Sequence, residues 1–209
     1  SIFVSICQPL GLLPAAASSL YSAVWGAISV ALLVRLLLDL GVRPLFSALA
    51  GLLYTMTTSM WVFGSIAEVH TMTLAITFAS LLVALRFGRT GETRDLYWLA
   101  FLVGQGLAHQ RAYGFLGPAL LLLVARQWRA WRRIVQKLPV LAALALLGPL
   151  TYLYLPLRDW MGAAWVFNSP GTWDGFWSTI MDTKTERIIE LPRTLAEGWR
   201  RLRGVALLL

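Results

Sequence analysis

Three short stretches of this chain carry polar side chains that are suited to chemistry. Glu68 and His70 stand in the segment AEVH, residues 109–111 read His-Gln-Arg, and Arg158 follows the segment LYLPL. A carboxylate can orient a hydroxyl group or take its proton, and imidazole titrates near neutral pH. Guanidinium groups bind phosphate oxygens through paired hydrogen bonds. Together these residue types predict a site for proton transfer beside a bound phosphate.

Each of these residues also has a simpler interpretation, and the sequence leaves the alternatives open. Glu68 could be a solvated loop carboxylate, and its spacing to His70 is a weak metal signal because zinc needs three or four ligands. Arg111 needs an anionic partner at membrane depth, which either a bound phosphate or Glu68 could supply. Arg158 could extend to the membrane interface or pair with Asp159.

Long uncharged runs separate these stretches. Residues 44–67, 71–85 and 138–157 contain no charged side chain, and a bilayer core needs about 20 apolar residues per helix. With 58% hydrophobic and 13% charged residues, the chain departs from the composition of soluble domains. The net charge is +8, but the arginines lie at the ends of apolar runs, which indicates membrane topology and argues against nucleic-acid binding. The fold class is therefore predicted to be all-α, a polytopic transmembrane helical bundle.

Residues that start and stop helices divide the chain into elements. Ser18 or Ser19 is expected to cap the first transmembrane helix, Gly41 to end it and Pro44 to begin the next. The transmembrane helices lie within residues 18–157 and are predicted at about 18–40, 44–64, 70–87 and 138–157. The flanking segments are predicted to be an interfacial helix at 1–13, an external loop with an amphipathic helix at 158–203, and the start of a further span at 204–209.

Residues 96–126 allow two interpretations. They form either one helix with His109, Gln110 and Arg111 at its centre, or a hairpin of two short helices with these residues at the tip. Only the hairpin gathers the basic residues on one face, as the positive-inside rule expects of the cytoplasmic side. These residues are Arg43, Arg86, Arg89, Arg94, Arg126, Arg129, Arg132, Arg133 and Lys137. We therefore predict a short hairpin in the outer leaflet, whose polar tip must line protein or a water-filled cavity.

Three segments together resemble a family of bacterial membrane proteins whose domain has no assigned function. They are WVFGSIAEVHTMTLAITFASLLVALRF, GQGLAHQRAYGFLGPALLLL and LYLPLRDWMGAAWVFNSPGTWDGFW. That family is related to a eukaryotic transmembrane protein O-mannosyltransferase and belongs to the GT-C glycosyltransferase superfamily. The resemblance covers nearly all of the chain but only the middle of the usual family length. It implies a GT-C-like bundle that moves a sugar from a polyprenyl-phosphate carrier to an acceptor at the outer face.

The resemblance also implies roles for single residues. Glu68 matches the carboxylate of an outer turn, His109 and Arg111 match the hairpin tip, and Arg158 matches an arginine after a helix end. In such enzymes a carboxylate takes the proton of the acceptor hydroxyl, and basic groups stabilise the lipid-phosphate leaving group. Glu68 and His109 are thus the expected catalytic residues, and Arg111 and Arg158 are expected to bind the lipid phosphate.

The chain departs from the family pattern in three respects. His70 stands where tyrosine is common and Gln110 where a second histidine often occurs, and both are expected to bind substrate. The family's main acidic residue lies upstream of Ser1. We therefore expect the chain to be an internal part of a longer protein and to be inactive by itself.

The implied partners are membrane lipid, a lipid-linked sugar and a protein or glycan acceptor, with no nucleic acid. No cofactor or metal ligand is assigned; the donor substrate is a polyprenyl-phosphate sugar, and a divalent-metal requirement is left open. The expected location is the bacterial cytoplasmic membrane with the active face outward. The alternatives are a non-catalytic carrier-binding or transporter-like subunit and a structural subunit of a membrane complex.

Overall fold

The structure, a computed structural model, describes residues 13–66, 70–127, 131–163 and 166–181 together with positions 7, 9 and 11. All regular elements in these ranges are helical. The chain divides into two compact units, Ser1–Thr151 and Tyr152–Leu209, which are described separately. Most of the interfacial helix predicted at 1–13, the predicted amphipathic helix and the further span at 204–209 lie outside the described residues.

The described helices are numbered in chain order. In the first unit they are α1 (Pro14–Asp39), α2 (Pro44–Thr55), α3 (Thr58–Ser65), α4 (His70–Thr90), α5 (Thr93–His109), α6 (Gly117–Ala125), α7 (Trp131–Gln136) and α8 (Leu138–Leu150). A 3₁₀ helix, Arg111–Leu116, joins α5 to α6, and a second one, Thr151–Leu153, follows α8. The second unit contains α9 (Tyr154–Trp160) and α10 (Trp173–Met181).

Within the described ranges, three helical stretches are long and apolar enough to cross a membrane. They are Pro14–Asp39, His70–Thr90 and Leu138–Trp160, of 26, 21 and 23 residues. The pair α2 and α3 makes a fourth if these two helices, bent by 62° at their junction, count as one span. The length and composition of these helices are those of a multi-pass membrane protein.

The start of α1 differs from the prediction. The helix begins at Pro14, and Leu13 is its N-cap residue without a side-chain cap. Proline suits this first position because its missing N–H would have no partner inside the helix. The Ser18 hydroxyl instead donates to the Pro14 carbonyl at 2.9 Å, one turn inside α1. The prediction that Ser18 or Ser19 caps the helix is therefore wrong.

The other end of α1 follows the prediction. Arg35 and Asp39, whose spacing predicts an ion pair one helical turn apart, lie 3.0 Å apart. Gly41 has a φ of +87°, in the left-handed region that glycine adopts freely after a helix end. Pro44 begins α2, as predicted.

The predicted helix at 44–64 is broken in the structure. Thr57 ends the continuity, because its hydroxyl donates to the Tyr54 carbonyl at 2.8 Å and accepts a hydrogen bond from the Met60 N–H at 3.3 Å. The second of these contacts caps a new helix, α3. The prediction of one continuous helix at 44–64 is therefore wrong.

Helices α1 and α4 run parallel to each other. Near the start of α4, the Tyr21 hydroxyl donates to the Met72 sulfur at 3.1 Å. Near its end, Leu36 packs in one buried cluster with Leu82 and Leu85. The start of α1 therefore lies at the same end of the unit as the start of α4.

Residues 96–126 form the hairpin, because the chain reverses between α5 and α6. Leu99 on α5 packs with Leu120 on α6, and both contact Ala84 on α4. After α6 the Gln127 side-chain amide donates to the Gly88 carbonyl at 3.2 Å, which returns the chain to the end of α4. The two-helix interpretation is confirmed.

Helix α8 runs parallel to α5 and packs closely on it. Ile134, just before α8, shares a buried cluster with Leu96 near the start of α5. Farther along, the backbones of Gly148 and Gly104 come so close that a Cβ atom on Gly148 would overlap the Gly104 carbonyl. Small residues at such crossings allow membrane helices to approach backbone to backbone.

The helix directions place the charged and polar residues of the first unit at its two ends. Apart from Arg111, the arginine and lysine residues whose side chains the structure describes in the first unit lie at the end where α4 finishes and α5 and α8 begin; this is the basic end. They are Arg35, Arg43, Arg86, Arg89, Arg94, Arg126, Arg132 and Lys137. His70 and residues 109–111 lie at the opposite end. The predicted grouping is confirmed for all of these residues except Arg35, which the prediction did not include, whereas Arg129 and the side chain of Arg133 lie outside the described part.

A buried carboxylate at the basic end depends on one arginine. Asp95 is only 3% exposed, its Oδ1 atom lies 3.8 Å from Arg86 Nη2, and its Oδ2 atom has no hydrogen-bond partner among the described residues. We expect Arg86→Ala to lower the free energy of unfolding by about 1–2 kcal/mol, because it leaves a buried charge unpaired. Thermal unfolding in detergent measures this change. The exposed neighbour Arg89→Ala is the control, and equal shifts for both variants would contradict the prediction.

Candidate functional site

The first wall of the candidate site is built by the break between α2 and α3. Because α3 leaves the direction of α2, Phe63 on α3 stands over the first residue of α4. Its ring centroid lies 4.4 Å from that of His70, with the ring planes tilted by 48°. The turn between them contains Glu68, which lies outside the described residues. His70 is thus held half-buried at the end of the unit opposite the basic end.

The second wall is the tip of the α5–α6 hairpin. Gln110 interrupts the helical path with an extended backbone, φ −150° and ψ 121°. Its N–H donates to the Gly106 carbonyl at 2.9 Å, and its carbonyl accepts from the Tyr113 N–H at 3.0 Å. Both backbone groups of Gln110 are therefore satisfied within the protein.

Tyr113 anchors this tip to α4. Its ring lies against Gly106, where a Cβ atom would come within 2.6 Å of a ring carbon. Its hydroxyl donates to Ser80 Oγ at 2.5 Å, and the Ser80 hydroxyl donates onward to the Ile76 carbonyl at 2.7 Å. The position of Gln110 relative to α4 is therefore fixed by buried contacts.

An open cavity of about 310 Å³ lies between these two walls. It is lined by Tyr54, Thr57, Ser59, Met60, Phe63, His70, Thr73, Leu74 and Gln110. A mainly apolar wall with a few neutral polar groups is the usual make-up of a small-molecule site. The hydroxyls, the imidazole and the amide can donate to or accept from the hydroxyl groups of a ligand.

The structure brings some of the predicted site residues together. His70 and Gln110 both line the cavity. His109, half-buried, and Arg111, exposed, flank Gln110 at the hairpin tip but do not line the cavity. Glu68, two residues before His70, lies outside the described part of the chain.

Arg158 belongs to the second unit, near the end of α9, and its side chain is exposed. The neighbouring Asp159 has a structural contact, because its Oδ2 atom accepts a hydrogen bond from the Gly171 N–H at 2.7 Å. The Trp160 indole N–H donates to the Gly171 carbonyl at 3.1 Å. These two contacts fix the loop before α10. The Asp159 carboxylate therefore has a structural role that needs no ion pair with Arg158.

Sequence reasoning did not identify Thr57, Ser59 and Thr73 as cavity residues. A signal for Thr73 exists, since it lies three residues after His70 and so on the same face of α4. The run TMTTS in an apolar segment is the corresponding signal for the break that exposes Thr57 and Ser59. Within the ranges that the structure describes, no three His, Cys, Asp or Glu side chains are grouped as a metal ion would require.

Comparisons with known proteins do not extend this description. No protein-family model, curated protein or solved structure matches the chain.

Proposed function

We propose that the protein is a GT-C-type glycosyltransferase of the bacterial cytoplasmic membrane. It would transfer a sugar from a polyprenyl-phosphate donor to a hydroxyl group of a protein or glycan at the outer face. The observation that carries the proposal is the cavity lined by His70 and Gln110, at the end of the first unit opposite its basic end. By the positive-inside rule this end faces outward.

The chemistry of the cavity supports a sugar as its occupant. Its polar groups are neutral hydroxyls, an imidazole and an amide, which suit sugar hydroxyls. A volume of about 310 Å³ is at the lower end of the range for ligand pockets. Aromatic and apolar side chains such as Phe63 and Leu74 would cover the faces of a sugar ring.

The charged residues have complementary roles in this proposal. The Glu68 carboxylate would take the proton of the acceptor hydroxyl as its oxygen attacks the anomeric carbon. The bond from that carbon to the phosphate oxygen would break, leaving its electron pair on the lipid phosphate. Arg111, next to Gln110, would stabilise this negative charge, and His109 would assist at the tip. The resemblance implies a phosphate-binding role for Arg158 of the second unit as well.

We expect His70→Ala and Gln110→Ala each to lower kcat/KM for the donor by about ten-fold, because each removes a hydrogen bond to the sugar. The measurement is sugar transfer by the whole protein in vesicles that contain a polyprenyl-phosphate sugar. Gln136→Ala is the matched control, since this exposed glutamine lies on α7 at the basic end.

The same assay separates the proposal from its alternatives. Unchanged transfer in both variants would show that the cavity does not bind the sugar during the reaction. Retention of the polyprenyl phosphate without transfer by the whole protein would favour a carrier-binding subunit instead. Absence of both binding and transfer would favour a structural subunit.

A further inference from the structure

A second cavity lies at the basic end of the first unit, between α6 and α7. Its volume is about 450 Å³, and it is lined by Leu121, Val124, Ala125, Gln127, Trp131 and Ile134. The Gln127 side-chain amide donates to the Gly88 carbonyl at 3.2 Å and so is committed to α4. The remaining wall is mainly aliphatic and aromatic, which suits a hydrocarbon chain better than a sugar.

Two arginines are sequence neighbours of residues that line this cavity. Arg126 separates the lining residues Ala125 and Gln127, and Arg132 follows Trp131; both arginines are exposed. The Cδ atom of Arg126 lies 3.6 Å from the position of a Cβ atom on Gly88, so its stem passes over the end of α4. Among the described residues, no carboxylate pairs with Arg126 or Arg132. Two exposed guanidinium groups without a carboxylate partner in the described ranges therefore belong to residues next in sequence to the lining of an apolar slot.

We propose that the α6–α7 cavity binds an acyl chain of an anionic phospholipid, with the lipid phosphate held by Arg126 and Arg132. Basic pockets between membrane helices on the cytoplasmic side are suited to anionic headgroups, and the charge of the arginines is complementary to such lipids. Trp131 is 63% exposed at the same level, as expected of an indole at the membrane interface. This inference is independent of the proposed glycosyltransferase activity, which uses the opposite end of the unit.

The test uses native mass spectrometry of the whole protein in detergent with equal amounts of phosphatidylglycerol and phosphatidylcholine. We expect the wild-type protein to retain phosphatidylglycerol preferentially. Each arginine replaced by glutamine should lower this preference by about five-fold. The double variant Arg126→Gln/Arg132→Gln should therefore show the combined loss of both substitutions. Arg43→Gln is the control for the loss of one positive charge, because it removes an arginine at the same end but in the α1–α2 turn. The control should retain the wild-type preference.

A second variant tests the apolar part without changing charge. Ala125→Phe fills the slot from an exposed lining position and should lower phosphatidylglycerol retention while thermal unfolding in lipid-free detergent stays unchanged. Equal retention of the two lipids by the wild-type protein would overturn the proposal. So would a preference in the double variant that matches the wild type. An equal loss per arginine removed in Arg43→Gln would also overturn it, because it would indicate a general effect of charge.

Discussion

Replacement of Glu68 by glutamine is expected to lower sugar transfer by the whole protein by about 100-fold or more. A general base at the acceptor hydroxyl contributes about 10²–10⁴-fold to the rate of such reactions. Glutamine keeps the size and hydrogen-bonding reach of the side chain but cannot take the proton. Glu68 stands two residues before His70, which lines the cavity. The measurement is kcat with a saturating polyprenyl-phosphate sugar.

Glu92→Gln is the matched control, since this exposed carboxylate lies in the turn after the other end of α4. It should leave transfer unchanged. The alternative is that Glu68 only pairs with Arg111 to hold the hairpin. In that case Glu68→Gln would lower the unfolding temperature, and the double variant Glu68→Gln/Arg111→Gln would recover activity. Recovered activity in the double variant would contradict a role of Glu68 as general base. So would wild-type transfer by Glu68→Gln alone.

The hairpin could be predicted from the sequence because charge distribution constrains membrane topology. His109, Gln110 and Arg111 at the centre of one span would have placed arginine clusters on both sides of the membrane. The predicted start of α1 and the predicted continuity of the helix at 44–64 are wrong for local reasons. A proline begins α1 where a serine cap was expected, and one threonine hydroxyl caps a new helix inside an apolar run.

The candidate site could be predicted in part. His70 and Gln110 were identified because polar side chains at membrane depth are rare, and the fold brings both to one cavity. The hydroxyl residues Thr57 and Ser59 were missed, since small hydroxyls are common in membrane helices and carry no charge pattern. Their contribution depends on the bend between α2 and α3, which only the three-dimensional arrangement reveals.

Gly148→Ala is expected to lower the free energy of unfolding by about 2–3 kcal/mol. A Cβ atom at this position would overlap the Gly104 backbone, so α5 and α8 must separate along the crossing. Lipid tails are as apolar as the side chains, so close backbone packing is a main source of attraction between membrane helices. Because α5 carries the hairpin tip at its end, the variant should also weaken the cavity around Gln110. Thermal unfolding in detergent measures the first effect, and donor KM measures the second.

Gly117→Ala is the matched control. Both glycines precede a proline at 149 or 118, so both substitutions carry the same backbone restriction. A Cβ atom on Gly117, however, meets no atom within 4 Å, and this variant should be close to neutral. A similar loss for Gly117→Ala would assign the effect to the proline neighbour. A clear loss for Gly148→Ala alone would assign it to the α5–α8 contact, and would show that the hairpin tip depends on a crossing remote from the cavity.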